Sequence, residues 1–193
     1  LGNNKQAINA FRELANKFPE NALSRKAAAE IGLLHYQNEE YSQAFEAYKL
    51  VATQYPGSEE AKLALRDLKS IYTDINKVDE FAAVVSSLPG DIHFDVNEQD
   101  SLTYIAAERI FTRKQIPQAK ESFTKYLQSF PAGAYREYAH YYLARIGQEQ
   151  NDEEAVLTHT ARILELNGSR FTEEALVMRA ELLYKRQQYA EAL

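Results

Sequence analysis

The chain has no cysteine and no tryptophan, and only five prolines and seven glycines among its 193 residues. Without cysteine, neither a disulfide framework nor a thiolate metal site is available, and either a reducing or an oxidising compartment would suit it. No apolar run approaches the ~20 residues a membrane-crossing helix requires; "FAAVV" and "IGLL" are core-sized segments. Acids outnumber bases, 28 to 22, and the formal net charge of -6 argues against nucleic acid, because phosphate binding needs a basic face. The motifs of common chemistries are missing too. There is no His-Glu-x-x-His pair, no Gly-x-Ser-x-Gly elbow and no glycine-rich phosphate loop. The four histidines, His35, His93, His140 and His159, are spread along the chain rather than clustered. The expectation is a non-enzymatic protein with no cofactor and no metal.

What is present is ordinary for a folded chain, 45% hydrophobic and 26% charged, and it repeats. "FPENALSRKA", "YPGSEEAKLA", "FPAGAYREYA" and "LNGSRFTEEA" align, each between two apolar-periodic segments. Pro19, Pro56, Pro89 and Pro131 stand at helix ends, with Gly57, Gly90, Gly133 and Gly168 close behind. Pro117 belongs in the first turn of a helix, where its missing N–H costs nothing. A second marker is an alanine at positions 7, 44, 119, 155 and 192, spaced by 37, 75, 36 and 37 residues, where 75 is about two periods. Four residues beyond the first four stand Phe11, Tyr48, Phe123 and His159, one turn along the same face. Twelve residues before stand Gly32, Ala107, Leu143 and Ala180, mostly small. Small residues facing one another let two helices approach closely while the bulky ring fills the gap beside them.

The pattern predicts helices near 4–18, 22–37, 41–55, 58–73, 77–88, 101–114, 117–130, 133–149, 152–166 and 171–187, with another from 188. It divides into a half repeat (1–19), repeats 20–56, 57–98 (degenerate, with a loop at 89–100), 99–131 and 132–168, and a partial repeat 169–193. Acid pairs such as Glu59-Glu60, Glu153-Glu154 and Glu173-Glu174 open helices, where the dipole favours carboxylates.

A small residue, an alanine twelve later, an aromatic four beyond that and a closing proline resemble the tetratricopeptide repeat. The likeness spans essentially the whole chain, although the unit near 58–88 is degenerate, Asn167 stands where proline is expected, and the period exceeds the usual ~34 residues. It implies an all-α, right-handed superhelical solenoid of antiparallel helix pairs over residues 1–193 that binds a peptide or partner protein. Turns of the "YPGS" type and the stretch "DSLTYIAAERIF" are similar to periplasmic members of bacterial envelopes, of the outer-membrane-assembly lipoprotein and Tol–Pal coordinating type, especially a Bacteroidetes group. The expected location is periplasmic or outer-membrane-associated, with a cytoplasmic scaffold or a non-catalytic part of a larger protein as the alternative. The chain opens without Met and stops within a helical pattern at "YAEAL". It therefore reads as a piece of a longer protein, and a lipid anchor would lie outside it.

In this family the first helix of each pair lines the concave surface. By resemblance, the partner-binding positions here are Leu33 and Tyr36; Lys69 and Tyr72; Tyr104, Glu108 and Phe111; Tyr138, His140 and Arg145; and Glu181 and Tyr184. Thirteen tyrosines suit such a surface, because ring faces give contact area and hydroxyls give hydrogen bonds. The same rings could instead pack between neighbouring first helices. Chaperone-tail members of the family use a lysine clamp, and Ala29, Leu65, Tyr104, His140 and Val177 occupy its position here, so that ligand is not implied.

The stretch "PGDIHFDVNEQDS", residues 89–101, concentrates potential metal ligands. Read as a calcium loop it fails, with Val96 where glycine belongs and Leu102 where glutamate belongs. It reads better as a seam where a shortened second helix releases residues, with Ile92 and Phe94 folding back over the core and the acids facing water. Asn167-Gly168-Ser169 matches a glycosylation acceptor that turn chemistry explains. Asp100-Ser101-Leu102 resembles a Bacteroidetes O-glycosylation motif, against which either residue as a helix N-cap is the preferred reading.

Overall fold

In a computed structural model the described residues are 2–19, 21–89 and 92–188. They form ten helices, with no strand among them. The chain divides into two compact units, Leu1–Phe94 and Asp95–Leu193. The first holds α1 (Gly2–Lys17), α2 (Ala22–Gln37), α3 (Tyr41–Gln54), α4 (Glu59–Asp74) and α5 (Val78–Ser87). The second holds α6 (Val96–Thr112), α7 (Ile116–Ser129), α8 (Arg136–Gln150), α9 (Glu153–Leu164) and α10 (Thr172–Lys185). Within each unit consecutive helices pack on one another, so the architecture is all-α and made of helical repeats, as the period implies. The helix expected from residue 188 lies outside the described residues.

The pairs α2/α3, α4/α5, α6/α7 and α8/α9 are closed by one turn used over and over. Glu39, Asn76, Lys114, Asn151 and Gln187 all adopt left-handed backbone, with φ of 54° to 61°, at steps of 37, 38, 37 and 36 residues. The N–H of the following residue reaches back five positions each time, as Glu40 to the His35 carbonyl and Asp152 to the Gly147 carbonyl. That pairing is the Schellman helix end, and it returns orphaned carbonyls to hydrogen bonding without a glycine.

Close approach inside a pair rests on the small residues. At Gly32 an added Cβ would lie 2.7 Å from the Tyr48 ring, and Ala44 is fully buried beside it in the core of the first unit. In the second unit Ala107 and Ala119 are fully buried, and Phe123 and Tyr126 fill the space next to them. The seam behaves as expected in one respect. Ile92 and Phe94 pack on the first core, and the Phe94 ring meets Phe81 edge-on at 5.0 Å, which compensates for a ten-residue α5.

In another respect it differs. Helix α6 begins at Val96, five residues before the expected start, and its N-cap is Asp95, whose carboxylate accepts from the Asn97 and Glu98 amides. Neither Asp100 nor Ser101 is the cap. Ser101 donates to the Asn97 carbonyl inside the helix. Asp100 does not face water; it is buried and accepts from the Tyr126 hydroxyl and, at 2.7 Å, from the Ala134 amide. The Tyr135 amide then donates to the Tyr126 oxygen at 3.0 Å. An N-terminal carboxylate on α6 thus organises the turn between α7 and α8. Gly133 belongs to the same knot, since a Cβ there would lie 2.5 Å from the Tyr126 hydroxyl and 2.8 Å from the Phe130 Cβ.

Candidate functional site

The surface to be assembled is that of the first helices, taken one unit at a time. In the first unit α2 contributes Leu33, half-buried, and Tyr36, 38% exposed, whose ring meets Tyr41 of α3 edge-on at 5.8 Å. Helix α4 contributes a half-buried Lys69 and Tyr72. Tyr72 is only 9% exposed, stacked on Phe45 at 4.7 Å and tilted against Phe81 at 6.0 Å. Burial pushes its phenol pKa up. Its ring is core and offers little face to a partner.

The second unit is richer. Tyr104 is 4% exposed and stacked on Tyr135 at 4.5 Å, so it too is a core ring. Its hydroxyl donates to Glu108 Oε1 at 2.7 Å, and the Tyr142 hydroxyl donates to the same oxygen at 3.1 Å. Glu108 is thereby engaged from α6 and from α8 at once. Both phenols are held above their usual pKa, chiefly by burial and then by the Glu108 carboxylate.

Outward from this knot the rings are only half-buried. Phe111 lies 4.8 Å from Tyr142, Tyr138 meets Phe171 edge-on at 5.1 Å, and Tyr141 stacks on Phe171 at 4.2 Å. Arg145 is exposed, with its guanidinium carbon 5.9 Å from the centroids of both Phe111 and Tyr141. Glu181 and Tyr184 are exposed on α10, Tyr184 at 67%. Residues 138, 141, 142 and 145 share one face of α8 because they recur at three- and four-residue steps.

His140 is turned elsewhere. Its Nδ1 lies 3.0 Å from Nδ1 of His159 on α9, and the two rings are tilted at 5.3 Å. Burial lowers the His140 pKa from 6.5 to about 4, helped by His159, Arg162 and Arg136. His159 is lowered as well, by burial first and then by Lys120. Among the described residues no three histidines and carboxylates converge as a metal centre would require, and no helix is long and apolar enough to cross a membrane.

Sequence reasoning missed Tyr135, Tyr141, Tyr142 and Phe171 as members of the ring cluster. The signal was the run "YREYAHYYLA", whose rings fall on more than one face of α8. It also missed a cleft of ≈ 1060 Å³ in the first unit, with Ala28 and Ile31 of α2, Ala47 and Leu50 of α3 and Ala15 of α1 among its lining residues, together with Arg12, His35 and Glu46.

The tetratricopeptide-repeat family model matches residues 30–58, which run from the second half of α2 through α3 to the Ser58 cap of α4. No curated protein matches the chain. The match to one repeat, set beside helix pairs closed by one turn at steps of 36 to 38 residues, supports a tetratricopeptide-repeat protein; such repeats generally mediate protein–protein interaction and are generally non-catalytic.

Proposed function

We propose that the chain is a non-enzymatic adaptor that holds a peptide or protein segment on the first-helix face of its second unit. The observation that carries this reading is the pair of half-buried rings Phe111 and Tyr141 flanking an exposed Arg145, with Tyr138 continuing the cluster through Phe171. Aromatic rings and arginine are the side chains that most often dominate protein interfaces. Leu33, Tyr36 and Lys69 form the matching positions of the first unit. The partner is a protein and not a nucleic acid, in keeping with the net charge of -6. The location proposed is a bacterial envelope, periplasmic or outer-membrane-associated and lipid-anchored from outside this stretch, on the strength of the turns and the α6 sequence.

Site-specific photocrosslinking tests the surface. A benzoylphenylalanine at Tyr184 of α10 should trap a discrete partner band in the full-length protein in cells. The same probe at Thr124, exposed on the second helix α7, should not. Equal trapping from both positions, or trapping only from α7, would overturn the first-helix assignment. Fractionation of the full-length product into envelope and cytoplasm decides the location.

A further inference from the structure

The exposed arginine in the ring cluster carries more chemistry than the adaptor reading uses. A guanidinium is always charged and presents a planar fork of donors that matches a carboxylate with two parallel hydrogen bonds. Three exposed arginines of this unit meet that need internally: Arg162 pairs with Glu165 at 2.9 Å, Arg170 with Glu137 at 3.4 Å and Arg186 with Glu153 at 2.6 Å. Arg145 pairs with no carboxylate among the described residues. Glu108, which holds the neighbouring Tyr142, already accepts two tyrosine hydroxyls. Instead its guanidinium is placed between Phe111 of α6 and Tyr141 of α8, at 5.9 Å from each ring. That contact leaves the fork's donors unspent while restricting where it points.

We propose that Arg145 is the receptor for a single carboxylate side chain, an aspartate or glutamate, set within an otherwise apolar or aromatic partner segment that lies on Phe111 and Tyr141. Charge complementarity carries the choice of occupant. One fork matches one carboxylate. A doubly charged phosphate would need more than one cation, and a run of acids would be repelled by a chain of net charge -6. The inference rests on the adaptor reading of this face and names the partner's chemistry there.

The test is selection of linear twelve-residue peptides, displayed without a free C-terminus, against the purified chain. Enriched sequences should share one acidic position among apolar or aromatic ones. In a fluorescence titration, changing that acid to its amide should weaken binding about tenfold, the loss expected for one hydrogen bond to a charged group. In Arg145→Leu the acid and amide peptides should bind alike. In Arg145→Lys, which keeps the charge without the fork, the acid should retain only part of its advantage. A consensus without an acid, an acid preference that survives Arg145→Leu, or a consensus of consecutive acids would overturn the inference and leave the adaptor reading standing. Tighter binding by a free C-terminal carboxylate than by the terminal amide would overturn the side-chain assignment. No enrichment over a bare support would overturn the adaptor reading itself, and this inference with it.

Discussion

The first helices of the two units follow one plan and differ in what they leave over. In the first unit the tyrosine of α4 is absorbed: Tyr72 lies between Phe45 and Phe81, and Phe94 closes the stack from the seam. Helix α5 has ten residues, so rings from elsewhere must fill its side of the core. In the second unit α7 has fourteen residues and delivers Phe123 and Tyr126 with no exposure at all. With that core filled, Phe111, Tyr138 and Tyr141 stay half-buried at its margin. Rings on the first helices are therefore core at Tyr72 and Tyr104 and half-buried at Phe111, Tyr138 and Tyr141.

The sharpest way to break this contrast is to truncate one ring from each class. Tyr72→Ala should destabilise the first unit by about 3–5 kcal/mol, the usual cost of emptying a buried aromatic site. Phe111→Ala should cost about 1 kcal/mol, because a half-buried ring loses less apolar area. Urea denaturation followed by circular dichroism reads both. Equal losses would show that Phe111 is as much core as Tyr72, and would remove it from the binding face.

A second asymmetry is polar. Among the described residues the buried polar side chains of the first unit are Ser24 and Thr73, whereas the second unit buries a carboxylate, Asp100. Asp100→Ala would leave the Tyr126 hydroxyl and the Ala134 amide without their acceptor, a loss of about 3 kcal/mol. Tyr126→Phe should cost less. The double change should cost less than the sum of the two, because the residues act through one network. Additive losses in the denaturation midpoints would mean that the knot is a set of independent contacts.

The repeat and its helix pairs were legible because small and bulky residues recur at a fixed step, and packing leaves few other solutions to that pattern. The start of α6 was not. Asp95 and Asp100 are both acids in a polar run, and only the tertiary position of the α7–α8 turn makes one a cap and the other a buried acceptor. The pair-closing turn was hidden as well, since its left-handed residues are Glu, Asn, Lys, Asn and Gln instead of glycine. Of the positions assigned to the binding face by resemblance, Tyr104 and Tyr72 are core rings and His140 faces α9. Resemblance supplies a register, and burial depends on neighbours that the register does not name.

The contact between His140 and His159 gives the second unit a pH dependence. In the fold His140 titrates near 4, and His159 is lowered too, with Arg136, Arg162 and Lys120 adding positive charge and Glu165 and Asp152 opposing it. Unfolded, both would titrate near 6.5. Between those values the unfolded chain binds more protons, so stability present above pH 6.5 is lost as pH falls toward 4. Denaturation midpoints at pH 7 and pH 5 should differ less in His140→Phe/His159→Phe than in the parent chain. An unchanged difference would assign the acid sensitivity to carboxylates elsewhere.

The smallest expected effect bears on what the units share. A residue with a Cβ in left-handed backbone is strained by about 1–2 kcal/mol, less when it is asparagine. Glu39 in the first unit and Lys114 in the second carry that strain, while Asn76 and Asn151 carry less of it. Glu39→Gly and Lys114→Gly should each raise stability by about 0.5–1 kcal/mol, the relief outweighing the added freedom of the unfolded chain. Asn76→Gly and Asn151→Gly should change it by less. If Glu39→Gly stabilises and Lys114→Gly does not, the α6–α7 turn is held by contacts beyond its own backbone. The two units would then differ in the one element that otherwise recurs unchanged through both.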